Sequence, residues 1–232
     1  PGLKNYWVAV GVMAGFCQGG GVGKCIAEWI IDGEPSIDVW AMDVARFGDD
    51  QSVVALRRGR DAQTIEWKSY RGLDTMQLAS RVEELVRLHQ ADTVFVDGGG
   101  VGGGVVDRLR QLHVDCIEVN FGSKAEDTRY NNKRAEMWGS MREWLETGTI
   151  PNDRELIDDL IGVEYGFTPT NKIQLEKKED MKKRGLASPD MADALAMTFA
   201  YPVAPKGMGK YRGLMAKKRR EYNPLARRAA WK

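Results

Sequence analysis

The stretch Thr93–Val96 (TVFV) constrains this chain most. It is a short apolar run of strand-forming residues that ends at Asp97 and passes straight into glycines. Such a run reads as a buried strand. Before it, residues 74–90 place Met76, Leu78, Val82, Leu85, Val86 and Leu88 close to helical spacing. After it, residues 104–112 read as a helix and 114–119 (VDCIEV) as another strand. Upstream, 37–44 (IDVWAMDV) reads as a strand. Residues 52–58 and 62–68 alternate apolar and polar around Gly59-Arg60-Asp61, which suits an antiparallel hairpin. The order predicts a mixed α/β domain with a parallel portion and a hairpin after its first strand.

Beyond that core, residues 122–133 (GSKAEDTRYNNK) are polar and read as a mobile loop. Helices are expected at about 134–147 and 153–161. A second hairpin is expected in YGFTPTNKIQLE, turning at Pro169–Asn171. Lys177–Arg184 is highly charged. Residues 189–200 (PDMADALAMTFA) read as a helix, with Pro189 in its first turn and Asp190 beside it. Near the start, 6–13 (YWVAVGVM) reads as a strand and 24–32 as a helix, separated by glycines.

Four acidic residues fall at or near the ends of three of these elements. Asp43 closes the strand at 37–44, Asp97 closes TVFV, and Asp190 and Asp193 share one face of the last helix. Carboxylates converging at a sheet edge repel one another and need a cation. Hard Mg²⁺ or Mn²⁺ with oxygen ligands provides it. Taken singly, each Asp is also a good cap or turn residue. Asp193 differs, because Met191, Ala192, Ala194, Leu195 and Met197 surround it and a charge there needs a partner or a metal.

Charge sharpens the division of the chain. The formal net charge is +1, from 34 Lys+Arg and 33 Asp+Glu, which by itself argues against a nucleic-acid binder. The average hides a split. Residues 206–232 hold 10 Lys/Arg against Glu221 alone, a net of +9, so the preceding residues sum to −8. Such a tail can attract DNA or an acidic partner. Cys17, Cys25 and Cys116 are too widely spaced for a disulfide framework or zinc site, and His89 and His113 read as ordinary helix or helix-end residues. No stretch is long and apolar enough to span a membrane, and no secretory signal opens the chain, so a reducing cytoplasm is expected.

Four segments, MDVARFGDDQSVVALRRG, VFVDGGGVGGGVVDRL, YGFTPTNKIQLEKKEDMKKRG and SPDMADALAMTFA, together resemble the nuclease domain of phage terminase large subunits, in that family's order and spacing over roughly 41–205. The resemblance implies an RNase H-like mixed sheet flanked by helices, and a two-metal endonuclease using Mg²⁺ or Mn²⁺ to cut concatemeric double-stranded DNA during genome packaging. It implies Asp43, Asp97 and Asp190 or Asp193 as metal ligands and catalytic residues, with Asp49 and Asp50 as accessory acids. The pattern at 190–195 is also similar to the last acidic motif of Holliday-junction resolvases. Lys177, Lys178, Lys182, Lys183 and Arg184 are candidates for DNA-backbone contacts. The Gly98–Gly104 run suits either phosphate approach at a helix N-terminus or a plain strand-to-helix turn. By resemblance the partners are DNA, a portal protein and a small terminase subunit, with no membrane, in the host-cell cytoplasm.

The beginning of the chain resembles something else. Gln18–Cys25 nearly spells a phosphate-binding loop, but Gln18 replaces its first Gly and Cys25 its Ser/Thr, so ATP binding is rejected. Residues 1–48 resemble the last strand, glycine loop and helix of the FAD-binding domain of dimethylglycine and sarcosine dehydrogenases. The pyrophosphate-gripping G-x-G-x-x-G unit is absent, so FAD binding is not expected. The two resemblances meet within MDVARFGD, which reads as a fusion junction. The expected organisation is a FAD-domain-like, strand-helix segment at 1–40 that is foreign to the nuclease fold, a nuclease domain at 41–205 and a disordered basic tail at 206–232. Two other readings stand beside the nuclease: an inactive fragment of a flavin-dependent oxidoreductase, and a non-catalytic module binding DNA or portal.

Overall fold

The computed structural model describes residues 38–43 and 51–203, with backbone only at 38–40 and 43. The expected strand at 6–13, helix at 24–32, Asp49, Asp50 and the basic tail lie outside the described residues.

Five strands form one mixed sheet: β1 (Asp38–Asp43), β2 (Ser52–Arg58), β3 (Lys68–Tyr70), β4 (Thr93–Asp97) and β5 (Cys116–Val119), in the spatial order β3-β2-β1-β4-β5. β2 pairs antiparallel with β1 and β3, whereas β4 runs parallel to β1 and β5. Helices α1 (Thr75–His89) and α2 (Gly102–Gln111) make the crossovers to β4 and β5. Helices α3 (Lys133–Leu145), α4 (Arg154–Gly162), the short α5 (Lys178–Lys183) and α6 (Asp190–Met197) follow, with a separate hairpin of β6 (Tyr165–Phe167) and β7 (Ile173–Leu175).

The alternation of a strand separates two cores. Met42, Val54, Leu56, Val94 and Val96 pack with α1 and α2. Ala41, Val53, Ala55 and Phe95 pack with α3, α4 and α6. Phe95 is fully buried, and burial of such a ring is worth about 1.5–3 kcal/mol. Every residue of α6 is buried, and its alanines let it lie against β1, β2 and β4 with α3 and α4 on its flanks.

Three expectations are corrected. The hairpin's second strand is not 62–68 but β3. The Asp61 carboxylate accepts the backbone N–H groups of Gln63 and Thr64, at 2.8 and 3.0 Å, and turns the chain out of the sheet. The apolar residues of that segment serve the core instead, with Ala62 and Trp67 buried and Trp67 Nε1 donating to the Ala62 carbonyl at 2.9 Å. Helix α2 starts two residues early, inside the glycines. The polar loop at 122–133 is pinned. Asp127 N–H donates to Glu136 Oε1 at 2.7 Å, and Tyr130 is buried beside Ala125 and Ala135 with a bridge to Ile173. Among the described residues no helix is long and apolar enough to cross a membrane.

Candidate metal-dependent active site

Asp97 ends β4, and Asp43 ends β1, its parallel neighbour. The last paired residues are Met42 and Val96, so Asp43 and Asp97 hold equivalent register positions. They share the parity of Ala41 and Phe95, whose side of the sheet α6 covers. The sheet therefore brings two strand-end acids to the edge over which α6 carries Asp190 and Asp193.

The turn after β4 is shaped around Asp97. Gly99 N–H donates to Asp97 Oδ1 at 2.9 Å. A side chain at position 99 would bring its Cβ to 3.1 and 3.3 Å from the two carboxylate oxygens. Gly100 has φ +63°, a conformation that favours glycine. Burial pushes the Asp97 carboxyl above its ordinary value; the Gly99 N–H and the Lys178 and Arg134 charges pull against that, and the Asp193 charge adds to it.

Asp193 is fully buried and finds the partners that burial demands. Arg134 grips both oxygens, Nε to Oδ1 at 3.0 Å and the second guanidinium nitrogen to Oδ2 at 3.3 Å. Trp138 Nε1 donates to Oδ1 at 2.8 Å, and Lys178 Nζ lies 3.0 Å from Oδ2. Burial alone would raise this carboxyl, but the Arg134 and Lys178 charges, with the Arg134 and Trp138 hydrogen bonds, hold it below the usual range. Lys178 also reaches Asp190, at 3.8 Å. Arg134 continues to the Glu176 carbonyl at 3.1 Å, joining α3 to the segment ahead of α5.

Helix α6 is tied at both ends as well. At its C-terminus, Arg57 of β2 donates to Thr198 Oγ1 at 3.0 Å and the Thr198 carbonyl at 3.2 Å, with its guanidinium 4.3 Å from the Phe199 ring centroid. At its N-terminus the cap position is Pro189, which has no side-chain cap bond. Asp159 of α4 acts there instead, accepting Met191 N–H at 3.0 Å and Ala192 N–H at 3.3 Å. Burial, opposed by these hydrogen bonds and reinforced by the nearby Asp190 and Glu155 charges, raises the Asp159 carboxyl to about 7.

The five basic candidates divide. Lys178 turns toward the acids, Arg184 pairs with Glu176 and Glu164, and Lys183 lies 2.6 Å from Asp180. Lys177, Lys182, Lys183 and Arg184 are exposed. Arg134, Trp138 and Asp159 went unread in the sequence. Arg134 and Trp138 sit in an ordinary helical pattern, and Asp159 resembles any solvent-facing acid of RELIDDLIG.

The donor chemistry is all carboxylate oxygen, which suits hard divalent ions. Among the described residues, no three His, Cys, Asp or Glu side chains converge on a point that could hold an ion. Asp43, whose strand position adjoins Asp97, contributes only its backbone to that description.

The architecture is that of an RNase H-like α/β domain with an acidic strand-end site. More particularly, its fold is that of large terminase nuclease domains. The nuclease domain of the large terminase subunit of bacterial virus Sf6 superposes with a TM-score of 0.63 at 20% identity, covering 72% of this chain and 90% of that one. The large terminase nuclease from thermophilic phage G20c with bound magnesium gives 0.55 at 16% identity, covering 71% and 80%. A variant of the Sf6 domain was solved with manganese. No protein-family model matches the chain. Among curated proteins, mitochondrial dimethylglycine dehydrogenase of Rattus norvegicus is 47% identical over 47 residues, which is 20% of this chain and 6% of that protein. The mitochondrial pyruvate dehydrogenase phosphatase regulatory subunit of Mus musculus is 44% identical over 61 residues, 26% of this chain and 7% of that protein. The chain thus spans less than a tenth of the length of either curated relative.

Proposed function

We propose that residues 41–205 form the metal-dependent nuclease module of a genome-packaging terminase, hydrolysing phosphodiester bonds of double-stranded DNA. The observation that carries this reading is the equivalent placement of Asp43 and Asp97 at the ends of adjacent parallel strands, beneath a helix that brings Asp190 and Asp193. The fold shared with large terminase nucleases supports it. When bound, a pair of Mg²⁺ or Mn²⁺ ions supplies Lewis acidity that lowers the pKa of water and stabilises the leaving oxygen.

The chain's own residues divide the remaining work. Asp43, Asp97 and Asp190 are the ligands in this proposal. Asp193 is the anchor, because Arg134, Trp138 and Lys178 already engage both of its oxygens. Lys178 balances the acid charge, and exposed Lys177, Lys182, Lys183 and Arg184 lie at the surface where backbone phosphates would be met. Portal and small terminase subunits are the partners this role implies.

A plasmid-cleavage assay in Mn²⁺ tests the reading. The wild type is expected to nick and linearise DNA, chelation to stop it, and Asp43→Ala, Asp97→Ala and Asp190→Asn each to abolish it while circular dichroism is unchanged. A folded wild type that cuts nothing with either metal overturns the function. Full cutting by the Asp97 and Asp43 variants overturns the site.

A further inference from the structure

The last helix is short, wholly buried and held by side chains from α3, α4, α5 and β2. Arg134, Trp138 and Lys178 hold Asp193 in its first turn, and Arg57 holds its C-terminal end at Thr198. Its N-terminus begins at a proline that cannot cap it, since proline lacks a side-chain acceptor for the free N–H groups of the first turn. Those N–H groups, at Met191 and Ala192, go to a single oxygen of Asp159, which comes from α4. Asp190 precedes both residues in the same turn.

We propose that Asp159 is a positioning residue for the acid site, a helix cap supplied from a neighbouring helix that fixes the first turn of α6 and hence the position of Asp190. The proposal rests on the nuclease reading for its consequence, metal affinity, but not for its geometry. Two facts make Asp159 more than one packing contact among many. Arg134 and Trp138 act through the Asp193 side chain and Arg57 acts at Thr198 just beyond the helix, whereas Asp159 holds the backbone N–H groups of the two residues that follow Asp190. An acceptor oxygen also suits the N-terminal end of a helix, as the Arg57 guanidinium suits its C-terminal end. The supporting oxygen is therefore turned toward the free N–H groups of the helix.

Outer groups that orient ligands commonly change metal affinity by roughly 10–100-fold when removed. Removing the cap with Asp159→Ala is expected to raise the Mn²⁺ midpoint by about 10-fold, read by calorimetry without DNA. Asp159→Asn keeps an acceptor oxygen, and Asn caps helices as well as Asp does. It is therefore expected to stay near the wild-type midpoint. Arg57→Met, which loosens the opposite end of α6, is expected to lower the melting temperature without moving the midpoint. Asp159 borders a cavity of about 450 Å³, so shortening it leaves no sealed void and Asp159→Ala is expected to fold.

Hydrogen exchange in chelator gives a readout independent of metal. Faster exchange is expected in the peptide spanning 189–193 for Asp159→Ala, and wild-type exchange there for Asp159→Asn. Unchanged exchange in Asp159→Ala overturns the proposal. So does a midpoint that moves equally in Asp159→Ala and Arg57→Met, which would report general loosening. So does an Asp159→Asn variant as impaired as Asp159→Ala, which would report charge rather than capping. A wild type that neither binds Mn²⁺ nor cuts DNA, yet shows the expected exchange pattern, would retire the nuclease reading and leave the cap standing.

Discussion

On one side of the sheet, Met42, Val54, Leu56, Val94 and Val96 meet Leu78, Val82, Val105 and Leu109 of α1 and α2. No buried polar residue lies on either helix. On the other side, α3 and α6 bring Lys133, Arg134, Asp190 and Asp193 into the interior, with Thr198 just beyond α6. The same strands supply both cores, so the difference comes from the helices. The apolar side can be built by volume alone, because any well-fitting hydrophobe satisfies it. The charged side works only if each ion finds its partner, because a buried charge left unpaired is expensive. It is also the side on which Asp43 and Asp97 share strand parity with Ala41 and Phe95. The first side is scaffold, and the second is where stability and the proposed chemistry would draw on the same groups.

The largest effects should expose that difference. Asp193→Ala strands Arg134 in the interior and is expected to lower unfolding free energy by about 3–5 kcal/mol. Leu109→Ala, in the apolar core, is expected to lower it by about 2–5 kcal/mol. Similar losses should part company on repair. Arg134→Met combined with Asp193→Leu is expected to recover part of the stability, since apolar residues often replace a buried ion pair at little cost, and none of the cleavage, since Lys178 loses the carboxylate it shares with Asp190. Leu109→Ala should keep metal-dependent cleavage at any temperature where it is folded. Urea titrations beside plasmid assays measure both. A repaired double variant that cuts DNA would erase the distinction between the two sides.

A smaller effect, of opposite sign in two residues of the charged side, concerns pH. Asp193 has a folded pKa below its unfolded value, so its contribution is present above about pH 3.8 and is lost as pH falls through the lower folded value. Asp97 has a raised folded pKa. Its contribution is therefore full below its unfolded value and disappears as pH rises through the folded one. In chelator at neutral pH, Asp97→Asn should accordingly stabilise the protein while Asp193→Asn destabilises it. On acidification, both differences from wild type should shrink. Melting temperatures across pH 3–8 provide the check, and two variants shifted in the same direction at pH 7 would sink this account.

How much of this was legible in the sequence depends on the range of the interaction. The TVFV strand, the helical spacing of α1 and the apolar run of α6 are local patterns, and they appear where their periodicity puts them. The strand expected at 62–68 failed because alternation tells which residues are buried, not which strand they join. Ala62 and Trp67 are buried as the pattern implies, but in a loop. Asp193 announced that it needed a partner. The partner's name was hidden because Arg134 is 59 residues away and meets it only through the topology. Asp159 was hidden more deeply, since its pattern in α4 is that of a surface acid and its role depends on a helix that begins with proline.

Two helices on opposite sides of the sheet, α1 and α6, begin differently, and this gives the mildest test. Helix α1 caps itself. Asp74 accepts Gln77 N–H at 2.7 Å, and Gln77 Oε1 accepts Asp74 N–H at 3.2 Å. A cap made within one turn needs no other element, so its loss should stay local. Asp74→Ala is expected to lower stability by about 1 kcal/mol. It should leave the Mn²⁺ midpoint and hydrogen exchange at 189–193 as in the wild type. Helix α6 instead borrows its cap from α4, and the residues it orders include a proposed ligand. If Asp74→Ala and Asp159→Ala proved alike in exchange at 189–193, the N-terminal turn of α6 would be responding to overall stability rather than to its own cap. If they differ, the borrowed cap is what couples α4 to the acid site, and the self-capped helix on the scaffold side shows what such an end does when it carries no site.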